Sequence, residues 1–392
     1  MGLGYIGLPT AAIAASRGIE VVGVDINPEV VETINRGEIH IIEPDLDKVV
    51  KEVVENGMLR ASLNPEEADA FFIVVPTPFK QNKRADISYV ESATRMVIPF
   101  LKKGDLFVIE STVPVLTTEK MAEVISKERP ELKNNIFIAY CPERVLPGNV
   151  LYELENNDRV IGGINEVSSN KAAEFYSLFV VGDLHKTKAR TAEMCKLTEN
   201  SSRDSQIAFA NELSIICDKA GINVWELIEL ANKHPRVNIL KPGCGVGGHC
   251  IAVDPWFIVS DFPEQAQIIK KARETNDYKA DWCANKVIEA CGNFTKDKGR
   301  EPIVACMGLA FKPNIDDLRE SPAKYITSRI ISEAKAEILV VEPNVKYHKS
   351  FNLINYKDAY ENADIVVWLL SHKEFSSILI DENKIEFNFC GV

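Results

Sequence analysis

The sequence predicts an α/β chain in which two parallel-sheet units flank a helical middle, and three observations carry that expectation. Short continuous apolar runs alternate with helical patterns over the first 190 or so residues; strand-like runs stop at about Thr191; they resume at Ile303. Parallel strands are buried on both faces, so they read as unbroken apolar runs rather than as alternation. At 392 residues the chain exceeds one ordinary core, and the predicted division is 1–190, 191–295 and 296–392.

The first element is a turn. Gly2, Gly4 and Gly7 fit G-x-G-x-x-G and run into the helical stretch Leu8–Ala15, after which Ile19–Val24 reads as a strand closed by Asp25. Glycines permit a tight turn and close approach of a pyrophosphate to a helix N-terminus, and an acid about twenty residues on can accept the ribose hydroxyls. This unit is therefore predicted to be Rossmann-like, and the acid favours NAD over NADP. Only Met1 precedes the glycines. The strand that normally leads into such a turn is thus missing from the chain as given, and a truncated or misassigned start is the preferred explanation over a damaged domain.

Further strands are predicted at Ala70–Val75, closed by Pro76-Thr77-Pro78; at Phe107–Glu110, followed by Ser111-Thr112; and at Ile136–Tyr140, followed by Cys141-Pro142-Glu143-Arg144. Polar residues at the carboxyl ends of strands are where an open α/β sheet meets its ligands. From Thr191 to Lys233 the pattern is helical, with Lys196, Asn200, Arg203 and Asp204 at spacings that share one face. His234-Pro235-Arg236 ends it. A second helical stretch is predicted from Pro263 to about Cys291, with Thr295–Arg300 as linker. Strands then return at Ile303–Leu309, Ile338–Glu342 and Ile365–Leu370, and Ser321-Pro322 reads as a helix cap and first turn.

Between the two helical stretches lies Gly243-Cys244-Gly245-Val246-Gly247-Gly248-His249-Cys250, followed by Asp254. Four glycines in six positions let backbone approach a ligand, and a thiol and a carboxylate share the same short segment. Cys250 is the candidate nucleophile, against the alternative of an inert buried cysteine beside a turn.

Composition narrows the partners. A net charge of −12 argues against nucleic acid or an anionic membrane as the main partner. Nine cysteines without a C-x-x-C pair suit a reducing cytoplasm. No second Cys/His pair completes a zinc set with Cys244, His249 and Cys250, so no metal is expected. No apolar run reaches the ~18 residues of a membrane helix.

The chain resembles the nucleotide-sugar 6-dehydrogenases, the family of UDP-glucose dehydrogenase, over nearly its whole length. The resemblance rests on GLGYIGLPT, VVGVDIN, VPTPFK, ESTVP, AYCPERVLPG, NDRVIGG, RTAEMCKLTEN, FANELS, GINVWELI, HPRVNIL, GVGGHCIAVDPWF and GLAFKPNIDDLRESPA. Wider branches of the family carry G-G-S-C-F-P-K-D where this chain has Gly247–Asp254 as GGHCIAVD, which places it in the acetamido-sugar group.

That resemblance implies oxidation of a sugar C6 alcohol to a carboxylate by two hydride transfers to NAD⁺, with Cys250 as the covalent nucleophile. It further implies proton transfer and oxyanion stabilisation by Lys196 and Asn200, water ordering by Asp254, thioester hydrolysis assisted by Glu143, and water held near the nicotinamide by Thr112. Implied cofactor contacts are Gly2, Gly4, Tyr5, Ile6, Gly7, Asp25, Thr77 and Thr112. Implied UDP-sugar contacts are Arg144, Val145, Lys196, Asn200, Arg203, Gly247, Phe311, Lys312 and Arg319, with His234 and Arg236 reaching the neighbouring site of a homodimer. The same chemistry on UDP-N-acetylglucosamine or UDP-glucose, or nucleotide binding without turnover, are the competing readings.

Overall fold

The structure is a computed structural model that describes every residue except 81, 82 and 147, the last of which falls in the AYCPERVLPG stretch. The chain divides into two compact units, Met1–Thr198 and Glu199–Val392.

In the first unit the anticipated apolar runs form β1 (Val21–Val24), β3 (Ala70–Ile73), β4 (Leu106–Ile109) and β5 (Phe137–Tyr140), joined by β2 (Leu59–Ser62), β6 (Arg159–Gly163) and β7 (Leu184–Lys188). They make a two-stranded sheet, β1-β2, and a five-stranded sheet in the order β3-β4-β5-β6-β7. Every pairing is parallel except β5 with β6. Residues 1–3 lie between the two sheets: the Met1 amino group donates to the Phe72 carbonyl (2.8 Å), Val74 N–H donates to the Met1 carbonyl (2.8 Å), and Gly2 N–H donates to the Val24 carbonyl (2.7 Å). Helix α1 (Gly7–Ser16) follows the turn, and α2 (Glu166–Tyr176) packs against β5, β6 and β7.

The predicted helical middle is α3 (Ala189–Ala220), α4 (Val224–Ala231), the short α5 (Asp254–Asp261) and α6 (Gln267–Lys298). The linker expected at Thr295–Arg300 is mostly helix instead. α6 runs on through Lys298 because Phe294 keeps an apolar contact in the core, and Gly299, at φ 68°, ends it in the left-handed region. The chain closes with β8 (Ile303–Met307), α7 (Pro322–Glu333), β9 (Glu337–Val341), β10 (Ile365–Trp368) and β11 (Ile385–Asn388). These strands pair in parallel in the order β11-β10-β8-β9. Ser321 caps α7 as anticipated, its hydroxyl accepting from Lys324 N–H, with Pro322 in the first turn. Cys283, Ala284 and Val287 of α6 and Ile326 and Ile330 of α7 cover Val304, Ile365 and Val367 of this sheet. No helix among the described residues is long and apolar enough to cross a membrane.

A polar seam runs through the interior of α3 and α6. Asp204, expected on the same face as Lys196 and Asn200, is fully buried and takes the Arg273 guanidinium at 2.7 Å and the Asn276 amide at 2.7 Å. Asn276 in turn accepts from the Asn211 amide (2.9 Å). Breaking a buried ion pair strands the other charge, which is more costly than the pair is worth. Arg273→Ala is expected to lower unfolding free energy by about 3–5 kcal/mol in urea melts; a loss below about 1 kcal/mol would mean that Asp204 needs no partner there.

Candidate active site

In the first unit the residues singled out from the sequence gather at the carboxyl ends of the parallel strands. Gly2, at φ 90°, and Gly7 close the turn on itself: a Cβ on Gly7 would lie 1.9 Å from the Gly2 carbonyl oxygen. Gly4 differs, because a Cβ there meets nothing within 4 Å. The turn is thus packed where it meets its own backbone and open at Gly4, beside exposed Tyr5, at the N-terminus of α1. Asp25 follows β1; one carboxylate oxygen accepts from Leu3 N–H (2.9 Å) and the other from Asn27 N–H (2.9 Å). These donors hold the acid beside the turn with acceptor capacity to spare, since a carboxylate offers about four lone-pair sites. The residues fit a dinucleotide.

Thr77 and Thr112, beyond β3 and β4, are stitched together, the Thr77 hydroxyl donating to the Thr112 carbonyl (2.6 Å). Ser111 reinforces them by accepting from Val75 N–H (2.9 Å) and donating to the Val75 carbonyl (2.7 Å). Downstream, the buried Glu193 carboxylate accepts from Leu116 N–H, Thr118 N–H and the Thr118 hydroxyl at 2.7–2.8 Å. Glu143, beyond β5, is buried and paired with buried Arg159 at 2.5 Å, while its other oxygen accepts from Arg144 N–H (2.6 Å). Glu110 lies in the same interior, receiving the Tyr176 hydroxyl at 2.6 Å, and burial pushes its carboxyl up to about 7 despite the opposing Arg159 charge. Arg159 and Glu193 were not anticipated as supports. Both sit inside quoted motifs, NDRVIGG and RTAEMCKLTEN, yet only the fold reveals what they hold.

In the second unit the glycine loop lies against the segment that follows β8. A Cβ on Gly247 would come within 2.4 Å of the Glu320 carbonyl and 2.8 Å of Phe311; one on Gly248, at φ 81°, would come within 3.0 Å of the Phe311 ring. Only glycine admits that contact. The loop is anchored at its start, where Gly243 N–H donates to the Asn211 side chain (2.9 Å). At its end, Val253 and Asp254 N–H groups donate to the Cys250 carbonyl (3.1 and 2.9 Å), turning the chain into α5. Asp254 is buried, and the Asn200 amide donates to its carboxylate at 2.5 Å. Among the nine cysteines Cys250 alone is exposed; Cys141 and Cys306, by contrast, are buried with thiols pushed up to about 12 by desolvation. Lys196 is half-buried on α3, four positions before Asn200, and Arg203 is exposed one turn further on.

Phe311 N–H donates to the Asp317 carbonyl (3.1 Å), and Arg319 is held by the Asp317 carboxylate at 2.7–3.1 Å, with Lys312 exposed between them in sequence. His234 and Arg236 are exposed beyond α4, where Arg236 N–H donates to His234 Nδ1 (3.3 Å). Val145 is half-buried against the core under β5. Glu342, expected from the sequence only as a strand end, holds the base of the Phe311 loop. Its carboxylate accepts from Leu309 N–H (2.8 Å), Ala310 N–H (2.9 Å) and Asn344 N–H (3.0 Å) and faces His372 Nε2 at 3.2 Å.

The glycine turn, the acid after β1 and the polar strand ends define a dinucleotide-binding α/β protein, and the second unit adds a thiol in a glycine loop. The chain belongs to the UDP-glucose/GDP-mannose dehydrogenase family. The family's NAD binding domain matches residues 1–180, its central domain 190–278 and its UDP binding domain 305–388. The chain is 57% identical over 394 residues to the UDP-N-acetyl-D-mannosamine dehydrogenase of Escherichia coli (strain K12), covering 96% of this chain and 94% of that one. It is 54% identical to the NDP-N-acetyl-D-galactosaminuronic acid dehydrogenase of Ralstonia nicotianae, covering 97% and 92%. Among solved structures, the UDP-D-ManNAc dehydrogenase of Pyrococcus horikoshii superposes with a TM-score of 0.86 at 40% identity, covering 96% and 90%. The family resemblance, the dehydrogenase class and NAD as cofactor are thereby borne out.

Burial opposes ionisation of Glu342, but hydrogen bonds from His372 and from the Leu309 and Asn344 N–H groups outweigh it and lower the carboxyl from 4.5 to about 2. A carboxyl whose folded pKa is depressed adds stability above its unfolded value and loses it as pH falls through the folded one. Glu342 is expected to contribute fully above pH 4.5 and progressively less toward pH 2. Acid titrations of unfolding free energy should show a shallower loss over that window in Glu342→Gln than in the parent; identical slopes would remove Glu342 as a contributor.

Proposed function

We propose that this chain oxidises UDP-N-acetyl-D-mannosamine at C6 to the corresponding uronate, through a covalent intermediate on Cys250. The observation that carries this reading is the exposed thiol in a glycine loop whose following carboxylate, Asp254, is tied to the Asn200 amide. The choice of sugar is supported by relatives of that name and by the GGHCIAVD stretch.

When bound, NAD⁺ supplies the hydride acceptor for each of two oxidations. Lys196 assists proton removal from the C6 alcohol, and with Asn200 it stabilises oxygen anions as they form. The Cys250 sulfur then adds to the aldehyde carbon, giving a thiohemiacetal, because a carbonyl carbon must gain a nucleophile before a second hydride can leave. Loss of that hydride leaves a thioester. Water ordered by Asp254, with Glu143 assisting, breaks the C–S bond and frees the carboxylate and the thiol. Each sugar therefore consumes two NAD⁺. Thr112 holds water beside the nicotinamide, and Gly2, Gly4, Tyr5, Ile6, Gly7, Asp25 and Thr77 bind the cofactor. Arg144, Val145, Arg203, Gly247, Phe311, Lys312 and Arg319 bind the UDP-sugar, where guanidinium groups match phosphate oxygens in pairs.

The proposal extends to organisation: a cytoplasmic homodimer built through the helical middle 191–295, between a cofactor domain 1–190 and a UDP-sugar domain 296–392, with His234 and Arg236 serving the neighbouring site. Light scattering at micromolar concentration is expected to report twice the chain mass, and a monomer there would remove the dimer.

Two measurements test the chemistry. In a panel of UDP-sugars, the mannosamine derivative is expected to give two NADH per sugar; turnover of UDP-glucose or a galactosamine derivative alone would reassign the substrate. Cys250→Ser is expected to cut uronate production by about a thousandfold or more. Undiminished uronate in that variant would rule out the covalent route.

A further inference from the structure

Beyond β5 the first unit sends an open segment across its surface. Glu143 and Val150 are buried, but every described residue between them, from Arg144 to Asn149, is half-buried or exposed. Such a segment keeps one shape only where its backbone groups have fixed partners. At its start Arg144 N–H donates to Glu143, which is itself paired with Arg159. In its middle Leu146 N–H donates to the Glu153 carboxylate (2.8 Å). Glu153 belongs to the helix Val150–Asn156 into which the segment runs, so that bond stiffens the segment without tying it to a distant element.

The tie comes from Glu43, a residue outside every motif and role considered so far. Glu43 is buried; one carboxylate oxygen accepts from Gly148 N–H (3.0 Å) and the other from Val150 N–H (2.8 Å), 105 and 107 residues away in sequence. Gly148, at φ 93°, bends the backbone in a way that side-chain-bearing residues rarely adopt, and both N–H groups meet the one carboxylate. Glu43 is fixed in turn, because Ile41 and Leu46 on either side of it are buried in a core shared with Leu3 and with Leu8 and Ala12 of α1. Hydrogen bonds to an ionised acceptor are about twice as strong as neutral ones. The clamp therefore joins the core beneath the glycine turn to the segment that follows Glu143.

We propose, resting on the assignment of Arg144 and Val145 to the UDP-sugar, that Glu43 is a positioning residue for that ligand: by holding Gly148 and Val150 it sets the segment in its binding shape before the ligand arrives. Without the clamp the segment samples other shapes, the ligand meets only the competent fraction, and apparent affinity falls by that fraction. Once bound, the ligand itself holds the segment, and Glu143 keeps its own partner in Arg159, so turnover at saturation is retained. The loss falls on the KM of the UDP-sugar. It spares kcat and the KM of NAD⁺, whose contacts at the glycine turn and Asp25 lie outside the segment.

The test compares the full chain with Glu43→Gln and Arg144→Ala, using UDP-N-acetyl-D-mannosamine and NADH formation, and follows amide exchange in the absence of ligand. Glutamine keeps the length of the side chain but turns an NH₂ toward one of the two N–H donors. Glu43→Gln is expected to raise the KM of the UDP-sugar about tenfold or more, with kcat and the KM of NAD⁺ within about threefold of the parent. An unchanged UDP-sugar KM, or a kcat and NAD⁺ KM that worsen in step with it, would overturn the positioning role. In the ligand-free parent the Gly148 and Val150 amides should exchange at least about a hundredfold more slowly than in an unfolded peptide, and unprotected amides there would overturn the clamp without recourse to any variant. Arg144→Ala separates this role from the reading beneath it. A raised UDP-sugar KM in Arg144→Ala with none in Glu43→Gln removes the positioning role and leaves the contact standing, whereas an unchanged KM in Arg144→Ala removes the contact itself.

Discussion

The polarity of two buried asparagines governs the glycine loop of the second unit. Asp204 is an acceptor, so Asn276 must present its NH₂ to it and its carbonyl oxygen to Asn211. Asn211 must then offer NH₂ to Asn276, which leaves its own oxygen for Gly243 N–H. A charge fixed by Arg273 thus dictates, through two amides with only one satisfying orientation each, which atom meets the first backbone group of the glycine loop. Apolar residues of equal volume could fill the same space but could not hold that N–H. In an interior of low dielectric, a chain of fully directed hydrogen bonds specifies one arrangement and penalises every other.

From that anchor the loop is constrained at three further points. Gly247 and Gly248 press on the Glu320 carbonyl and the Phe311 ring, so the loop cannot lift without losing packing that no side chain can replace. The Phe311 segment is itself held by Glu342 through two successive N–H groups. The Cys250 carbonyl accepts the N–H groups that start α5, and the first residue of that helix, Asp254, is tied back to Asn200 on α3. The thiol is therefore exposed on a segment whose backbone is fastened on both sides. The nucleophile proposed above thus combines access with fixed position.

Much of this was legible in the sequence, and what was hidden follows a pattern. Strands buried on both faces were readable because apolar continuity is a local property; β1, β3, β5, β8 and β10 lie within anticipated runs, and β4 and β9 each start one residue before theirs. β2 alternates exposed Arg60 with buried Leu59 and Ala61, β6 ends in two glycines, and β7 reads Leu-His-Lys-Thr-Lys; each lacks the apolar run, and pairing alone makes it a strand. Cys250, Asn200 and Asp254 could be marked because they share short spacings or a glycine-rich setting. Arg273, Asn276, Asn211 and Arg159 could not, since a buried partner dozens of residues away leaves no signature at either position. The face predicted for Lys196, Asn200, Arg203 and Asp204 is split for the same reason: helical spacing reports direction, and only the packing of α6 determines that Asp204 points inward.

The two parallel sheets also use the same device to opposite ends. Each places a carboxylate directly after a strand, Asp25 after β1 and Glu342 after β9, and each carboxylate receives N–H groups from the turn of the neighbouring chain segment. Glu342 is almost wholly buried, and three backbone N–H groups, the Asn344 amide and His372 crowd its two oxygens. Asp25 is half-exposed and accepts one backbone N–H on each oxygen. The turns differ likewise: a Cβ on Gly308 would meet Leu370 at 2.9 Å, whereas one on Gly4 would meet open space. A strand-end acid beside an open turn can still receive hydroxyl donors from outside. One beside a filled turn has become part of the framework, and in the second unit it fixes the base of the Phe311 loop.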